Sequence, residues 1–166
     1  MTIAETFLPL YDAEIATTRR VLERIPEDKL AWKPHDKSMS LGRLAGHIAE
    51  LPGLGLRIVK QEKFVAGAGP RTPLEVTSRE QALQMLDENA AKTRAAIAEA
   101  SDAELGKMWS LEAHGKTFFT TSQIDALRGF MLHHLVHHRG QFSVYLRLTD
   151  VPVPMIYGPS ADERPF

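Results

Sequence analysis

No cysteine occurs among the 166 residues. Disulfides, thiolate ligands and a cysteine nucleophile are therefore excluded, and any metal or catalytic site must be built from nitrogen and oxygen donors. An excess of one charge is lacking too: 20 lysines and arginines face 21 acids, for a formal net charge of −1. Because both signs are interspersed, no basic face gathers positive potential for nucleic acid or an anionic membrane surface, and neither is expected as a partner. No apolar run approaches the roughly 18 residues of a membrane span. The N-terminal Met-Thr-Ile-Ala-Glu-Thr has no basic stretch leading an apolar segment, so it does not read as a secretory signal, and a cytoplasmic protein is expected. Aromatic residues make up only 7% of the chain. Trp32, Trp109, Phe118 and Phe119 read as core or pocket wall rather than as a cofactor-stacking box. What remains, 43% hydrophobic and 25% charged, predicts a single domain over residues 1–166 with one substantial core.

Against this background, four histidines fall together at His133, His134, His137 and His138. On an α-helix, residues four apart share a face, so His134 with His138, or His133 with His137, can aim two imidazoles at one point. Leu127, Met131, Gln141, Tyr145 and Leu148 recur at spacings of three and four, and His134 and His138 belong to that series, which predicts that they point inward. His133 and His137 follow the thinner stripe of Phe130, Gly140 and Val144 and are expected at its edge, facing solvent or a partner subunit. An open metal site needs about three protein ligands, so a third is missing from this helix. His47 is the best candidate, because Leu44, His47, Leu51, Leu54 and Ile58 form one helical stripe. His35 and His114 lie in loop-like surroundings with no periodicity to bury them. Arg139 and Gln141 are candidates to contact substrate or to hold a ligand's second nitrogen, and Arg139 equally suits a surface ion pair. Asp36 and Glu50 are the acids nearest in sequence to the proposed ligands.

The periodicities predict four long helices. The first spans about 5–24 and is closed by Pro26, with Pro9 placed in its first turn. Ser40 caps a second that reaches about Lys60 and kinks at Pro52-Gly53. The stretch 64–73 carries glycine and proline and reads as a loop. Thr77-Ser-Arg-Glu80 forms a capping box ahead of a third helix ending near Ala100. A second box, Ser101-Asp-Ala-Glu104, starts a short helical turn. Residues 108–120 read as a small hairpin around His114-Gly115. Thr121 or Ser122 caps the fourth helix, which continues to about Leu148, and the proline-bearing tail from Val151 cannot be helical. The fold class expected is an all-α four-helix bundle with a small irregular or hairpin segment before the last helix. In such bundles metal sites are made by side chains projecting inward from facing helices.

Three segments taken in order, Ser40-Leu-Gly-Arg-Leu-Ala-Gly-His47, His134-x-x-x-His138-Arg-Gly-Gln141 and Val151-Pro-Val-Pro-Met-Ile-Tyr-Gly158, resemble the DinB-like or YfiT-like metalloenzymes, a superfamily that includes bacterial thiol-dependent transferases. The resemblance covers nearly the whole chain. It implies a divalent metal, nickel or zinc, held by His47, His134 and His138, and a homodimer. It also implies either hydrolysis or transfer of a low-molecular-weight thiol as cosubstrate to a small-molecule substrate. The doubled histidines leave His133 and His137 as an alternative pair. A noncatalytic, stress-associated bundle with a structural ion or a bound ligand is the competing expectation.

Overall fold

The computed structural model describes residues 1–67 and 73–165. Helix α1 spans Ile3–Leu22 and starts earlier than the periodicity suggested, because Thr2 and Glu5 form a reciprocal capping box. Thr2 Oγ1 accepts from the Glu5 amide at 3.1 Å, and the Glu5 carboxylate accepts from the Thr2 amide at 2.7 Å. Pro9 consequently lies past the first turn, inside the helix. It sits on the exposed face, where water can take the carbonyl that its missing N–H leaves without a donor.

Helix α2, Leu41–Lys60, is capped by Ser40 and stays helical through Pro52. Neighbouring side chains serve its carbonyls there: Asn89 Nδ2 donates to the Ala49 carbonyl at 3.0 Å and Thr93 Oγ1 to that of Pro52 at 2.6 Å. Helix α3, Arg79–Glu99, is capped by Ser78 rather than Thr77, because Thr77 instead donates its amide to Gln81 Oε1 at 2.8 Å. Part of the loop expected over 64–73 lies outside the described residues.

Helices α2 and α3 run side by side in the same direction, since Gly53 meets Asn89 and Gly55 meets Thr93. The approach requires glycine: a Cβ on Gly55 would stand 2.5 Å from Thr93 Cγ2. Helix α4 is the short Asp102–Leu105, begun by the expected Ser101–Glu104 capping box. The hairpin also forms, from β2 (Met108–Ala113) and β3 (Lys116–Ser122). His114 and Gly115 turn it at φ of +50° and +72°, the backbone sign that a primed two-residue turn needs. The expectation of an all-α chain is corrected at this point. Strand β1, Lys63–Ala66, pairs in parallel with β2, Lys63 opposite Ser110, to complete a three-stranded sheet on a mostly helical protein.

The last helical stretch is not uniform. Ser122 caps α5 (Gln123–Ala126), a π-type stretch follows over Leu127–Leu132, and α6 runs from His133 to Leu148. Helix α6 lies antiparallel to α2, so that His134 meets His47 while Met131 and Leu127 reach Gly55. Phe7, Tyr11, Leu44, Ile48, Leu86, Ile97, Leu135 and Phe142 are among the residues that close the core between α1, α2, α3 and α6. Arg139, expected at the surface or in the site, is instead 1% exposed and paired with Glu14 of α1 at 2.7 Å. It also donates to the Tyr157 hydroxyl at 2.7 Å, which ties the nonhelical tail to the same buried group. No helix among the described residues is long and apolar enough to cross a membrane.

Candidate metal centre

His47 projects from the middle of α2, and His134 and His138 from successive turns of α6. Their nitrogens converge. His47 Nε2 lies 3.4 Å from His134 Nε2, and His134 Nε2 lies 2.9 Å from His138 Nε2. One donor nitrogen from each of the three falls within 4.8 Å of the others. His138 is buried, and His47 and His134 are half-buried.

The outer nitrogens of the α6 pair are engaged elsewhere. His138 Nδ1 donates to Gln141 Oε1 at 2.7 Å, and His134 hydrogen-bonds the Phe130 backbone one turn earlier, a contact that favours the protonated ring and is therefore donated to the carbonyl. Because the neutral ring carries only one N–H, both Nε2 atoms then present lone pairs toward each other. In these tautomers two lone pairs 2.9 Å apart suit a cation between them, either a shared proton or a metal ion. Burial, the largest cause, lowers the basicity of both His134 and His138; neighbouring histidine charge adds to this at His134, and His137 and Arg43 add to it at His138. The environment therefore disfavours the proton.

A cavity of about 550 Å³ opens beside this cluster. His47, Glu50, Leu54 and Arg57 line it from α2, Met85, Asn89 and Lys92 from α3, Phe64 from β1, and Phe130 and His134 from the last helical stretch. Its volume falls in the range of small-molecule sites, and its wall is mainly apolar with a few polar groups. Glu50 is the expected acid that does reach it, with its carboxylate 3.9 Å from the Arg43 guanidinium. A separate and more open depression of about 640 Å³ lies where Arg19 of α1 pairs with Asp87 of α3, and no histidine lines it.

The other histidines stay out of the cluster. His133 and His137 are exposed on α6, and His35 and His114 are exposed in turns. Asp36 is likewise exposed. Trp109 is fully buried core stacked near Phe119 and Phe130, whereas Phe118 is exposed, and Trp32 packs edge-on against Tyr145. Phe64, Phe130, Met85, Asn89, Arg57 and Lys92 are cavity residues that the sequence reading did not single out. For Arg57 a signal existed: it continues the three- and four-residue stepping of His47, Glu50 and Leu54 along α2.

A family model described as the DinB superfamily matches residues 10–142. The chain is 24% identical over 160 residues to the protein YrdA of Bacillus subtilis, covering 95% of this chain and 89% of that protein. Among solved structures, it is similar to a DinB-like protein from Bacillus cereus with a TM-score of 0.72 at 22% identity, covering 94% of this chain and 98% of the other. It is also similar to the DinB-like protein YjoA of Bacillus subtilis, with a TM-score of 0.65 at 20% identity, covering 96% of this chain and 99% of that one.

Proposed function

We propose that this chain, which belongs to the DinB superfamily, is a metal-dependent enzyme in which His47, His134 and His138 hold one divalent ion, nickel or zinc. The observation that carries the reading is the pair of lone-pair-bearing nitrogens at 2.9 Å with a third imidazole nitrogen 3.4 Å away. The donor set fits such an ion. Tetrahedral ligands about 2.05 Å from zinc stand about 3.3 Å apart, so the His47–His134 spacing already matches and the His134–His138 spacing has to widen by about 0.4 Å, a small rotamer adjustment. The packing of α1, α2, α3 and α6 supports reading them as one four-helix-bundle domain over residues 1–166, with the site between facing helices.

When bound, the ion supplies Lewis acidity that lowers the pKa of water or a thiol, or polarises a substrate oxygen. The protein's own residues prepare the place for it. Gln141 and the Phe130 carbonyl fix the tautomer and orientation of the α6 rings, and Phe130, Leu54 and Phe64 exclude water from one side of the cavity. Two reactions suit this arrangement: hydrolysis, and transfer of a low-molecular-weight thiol to a small-molecule substrate. With no cysteine in the chain, the sulfur comes from a cosubstrate. A homodimer, implied by the family resemblance, and a cytoplasmic location, expected from the sequence, complete the proposal. The rival reading, a noncatalytic stress-associated bundle, has two forms: a structural ion needs a closed site, which the cavity reaching His47 and His134 counts against, and a pocket that only binds a ligand is told apart by the absence of turnover in the metal-loaded protein.

Metal content of tag-free protein, measured by plasma mass spectrometry, tests the ligand set. Wild type, His133→Ala and His137→Ala should carry or take up about one zinc or nickel per chain at high affinity, and His47→Ala, His134→Ala and His138→Ala should not. Retained stoichiometric metal in His138→Ala defeats the ligand set, and failure of the wild type to take up either metal defeats the metalloenzyme reading.

A further inference from the structure

The cavity is polarised along its length. His47, Glu50, Leu54 and Arg57 line it from one helix, and the ten steps from His47 to Arg57 advance about 15 Å along the axis. The parallel course of α3 brings Lys92 toward the Arg57 end, because Asn89 meets Gly53 and Thr93 meets Gly55. The histidine cluster thus occupies one end and two cations the other, with Leu54, Phe64 and Phe130 among the apolar residues of the wall.

Arg57 is exposed at the cavity rim and held in place without being neutralised. Its guanidinium carbon lies 5.6 Å from the Phe64 ring centroid, and among the described residues no acid forms an ion pair with it. Among the described residues Lys92 forms an ion pair with Glu88 alone, at 3.8 Å with both side chains largely exposed, a pairing of little energetic weight. Glu50, nearer the histidines, is paired with Arg43 at 3.9 Å, so the positive charge that an anionic ligand would meet lies at the Arg57 end.

We infer that the substrate or cosubstrate of this site is an elongated amphipathic anion, its reacting group toward His47 and His134, its apolar middle on Phe64 and Phe130, and its carboxylate or phosphate held by Arg57 with Lys92. The inference rests on the metalloenzyme reading for the identity of the reacting end, and on the cavity alone for the anionic end. Calorimetric titration of the full chain with octanoate, octyl phosphate and octanol tests it. At least one anion should bind about fivefold or more tighter than octanol to the wild type, as one charge-assisted contact at a solvated rim provides. Whichever binds better tells carboxylate from phosphate.

Arg57→Gln should erase that preference while octanol still binds, which also shows that the variant is folded. Equal affinity for all three probes, no binding of any, or a preference that survives in Arg57→Gln overturns the inference. Titrating the zinc-loaded protein with ω-mercaptooctanoate and ω-mercaptooctanol separates the two readings. If the sulfur adds no affinity while the Arg57-dependent preference persists, the placement of a thiol at the metal end fails and the anion end stands. If the sulfur adds affinity but the carboxylate adds none, the anion end fails alone.

Discussion

Gln141→Leu removes one acceptor and little else. The Gln141 side chain is exposed at the edge of α6, and its Oε1 takes the Nδ1 proton of His138 at 2.7 Å. With leucine in its place, nothing holds that proton on Nδ1. The ring becomes free to move it to Nε2, the atom aimed at His134 2.9 Å away, and to rotate out of line. Loss of such an orienting hydrogen bond typically weakens metal affinity about 10- to 100-fold, equivalent to about 1.4–2.7 kcal/mol. Because residue 141 is exposed, stability of the metal-free protein should change by no more than about 0.5 kcal/mol. The assay is competition for zinc against a chromophoric chelator, with urea denaturation of the metal-free protein alongside. Gln141→Glu keeps the acceptor and should bind zinc at least as tightly as the wild type. A Gln141→Leu variant that is folded and binds zinc within about twofold of wild type would refute the reasoning, since the ring would then need no partner on its outer nitrogen.

Two further outcomes follow from the same structure. Arg139→Met leaves the Glu14 carboxylate buried without its 2.7 Å cationic partner, with the Tyr157 hydroxyl still donating to it at 3.0 Å, which should cost about 3–5 kcal/mol in urea denaturation; a loss below about 1 kcal/mol would mean that water reaches the pair. The folded-state pKa values of His134 and His138 are lowered, chiefly by burial, so below about pH 6.5 the unfolded chain binds more protons than the folded one. Stability of the metal-free protein is therefore fully present above that pH and falls as pH drops toward the folded-state values. Denaturation at pH 7.5 and 5.5 should show this, with a smaller difference in the His134→Ala, His138→Ala double variant; an unchanged difference in the double variant would place the protons elsewhere.

What could be read from the sequence was what depends on neighbours along the chain. The Ser101–Glu104 box, the Ser40 and Ser122 caps and the His114-Gly115 turn are each settled within a few residues, and each is present. Strand β1 is different. Four residues of alternating half-exposure acquire a structure only by pairing with β2, more than forty positions away, and no local period announces that. The same holds for Arg139, whose buried role depends on Glu14 at the other end of the chain. Pairing His134 with His138 was legible because a spacing of four is a helical neighbour relation, and so was His47 because its stripe is apolar.

The phase of that stripe was not legible, and the π-type stretch explains why. Continued at ordinary helical steps, the buried series Leu127, Met131 would pass through His134 and His138 and set both imidazoles in the core. Over Leu127–Leu132 the chain instead makes wider turns, and the buried series continues as Leu135, Arg139, Phe142 and Leu146. One extra residue has been absorbed, which is what a π-bulge does to a helix. Leu135 and Arg139 take core positions, His138 stays buried beside them, and His134, half-buried, reaches the cavity. Of the residues that an apolar periodicity places inside the protein, His47 and His134 thus stand on the wall of a cavity where a small molecule can meet them.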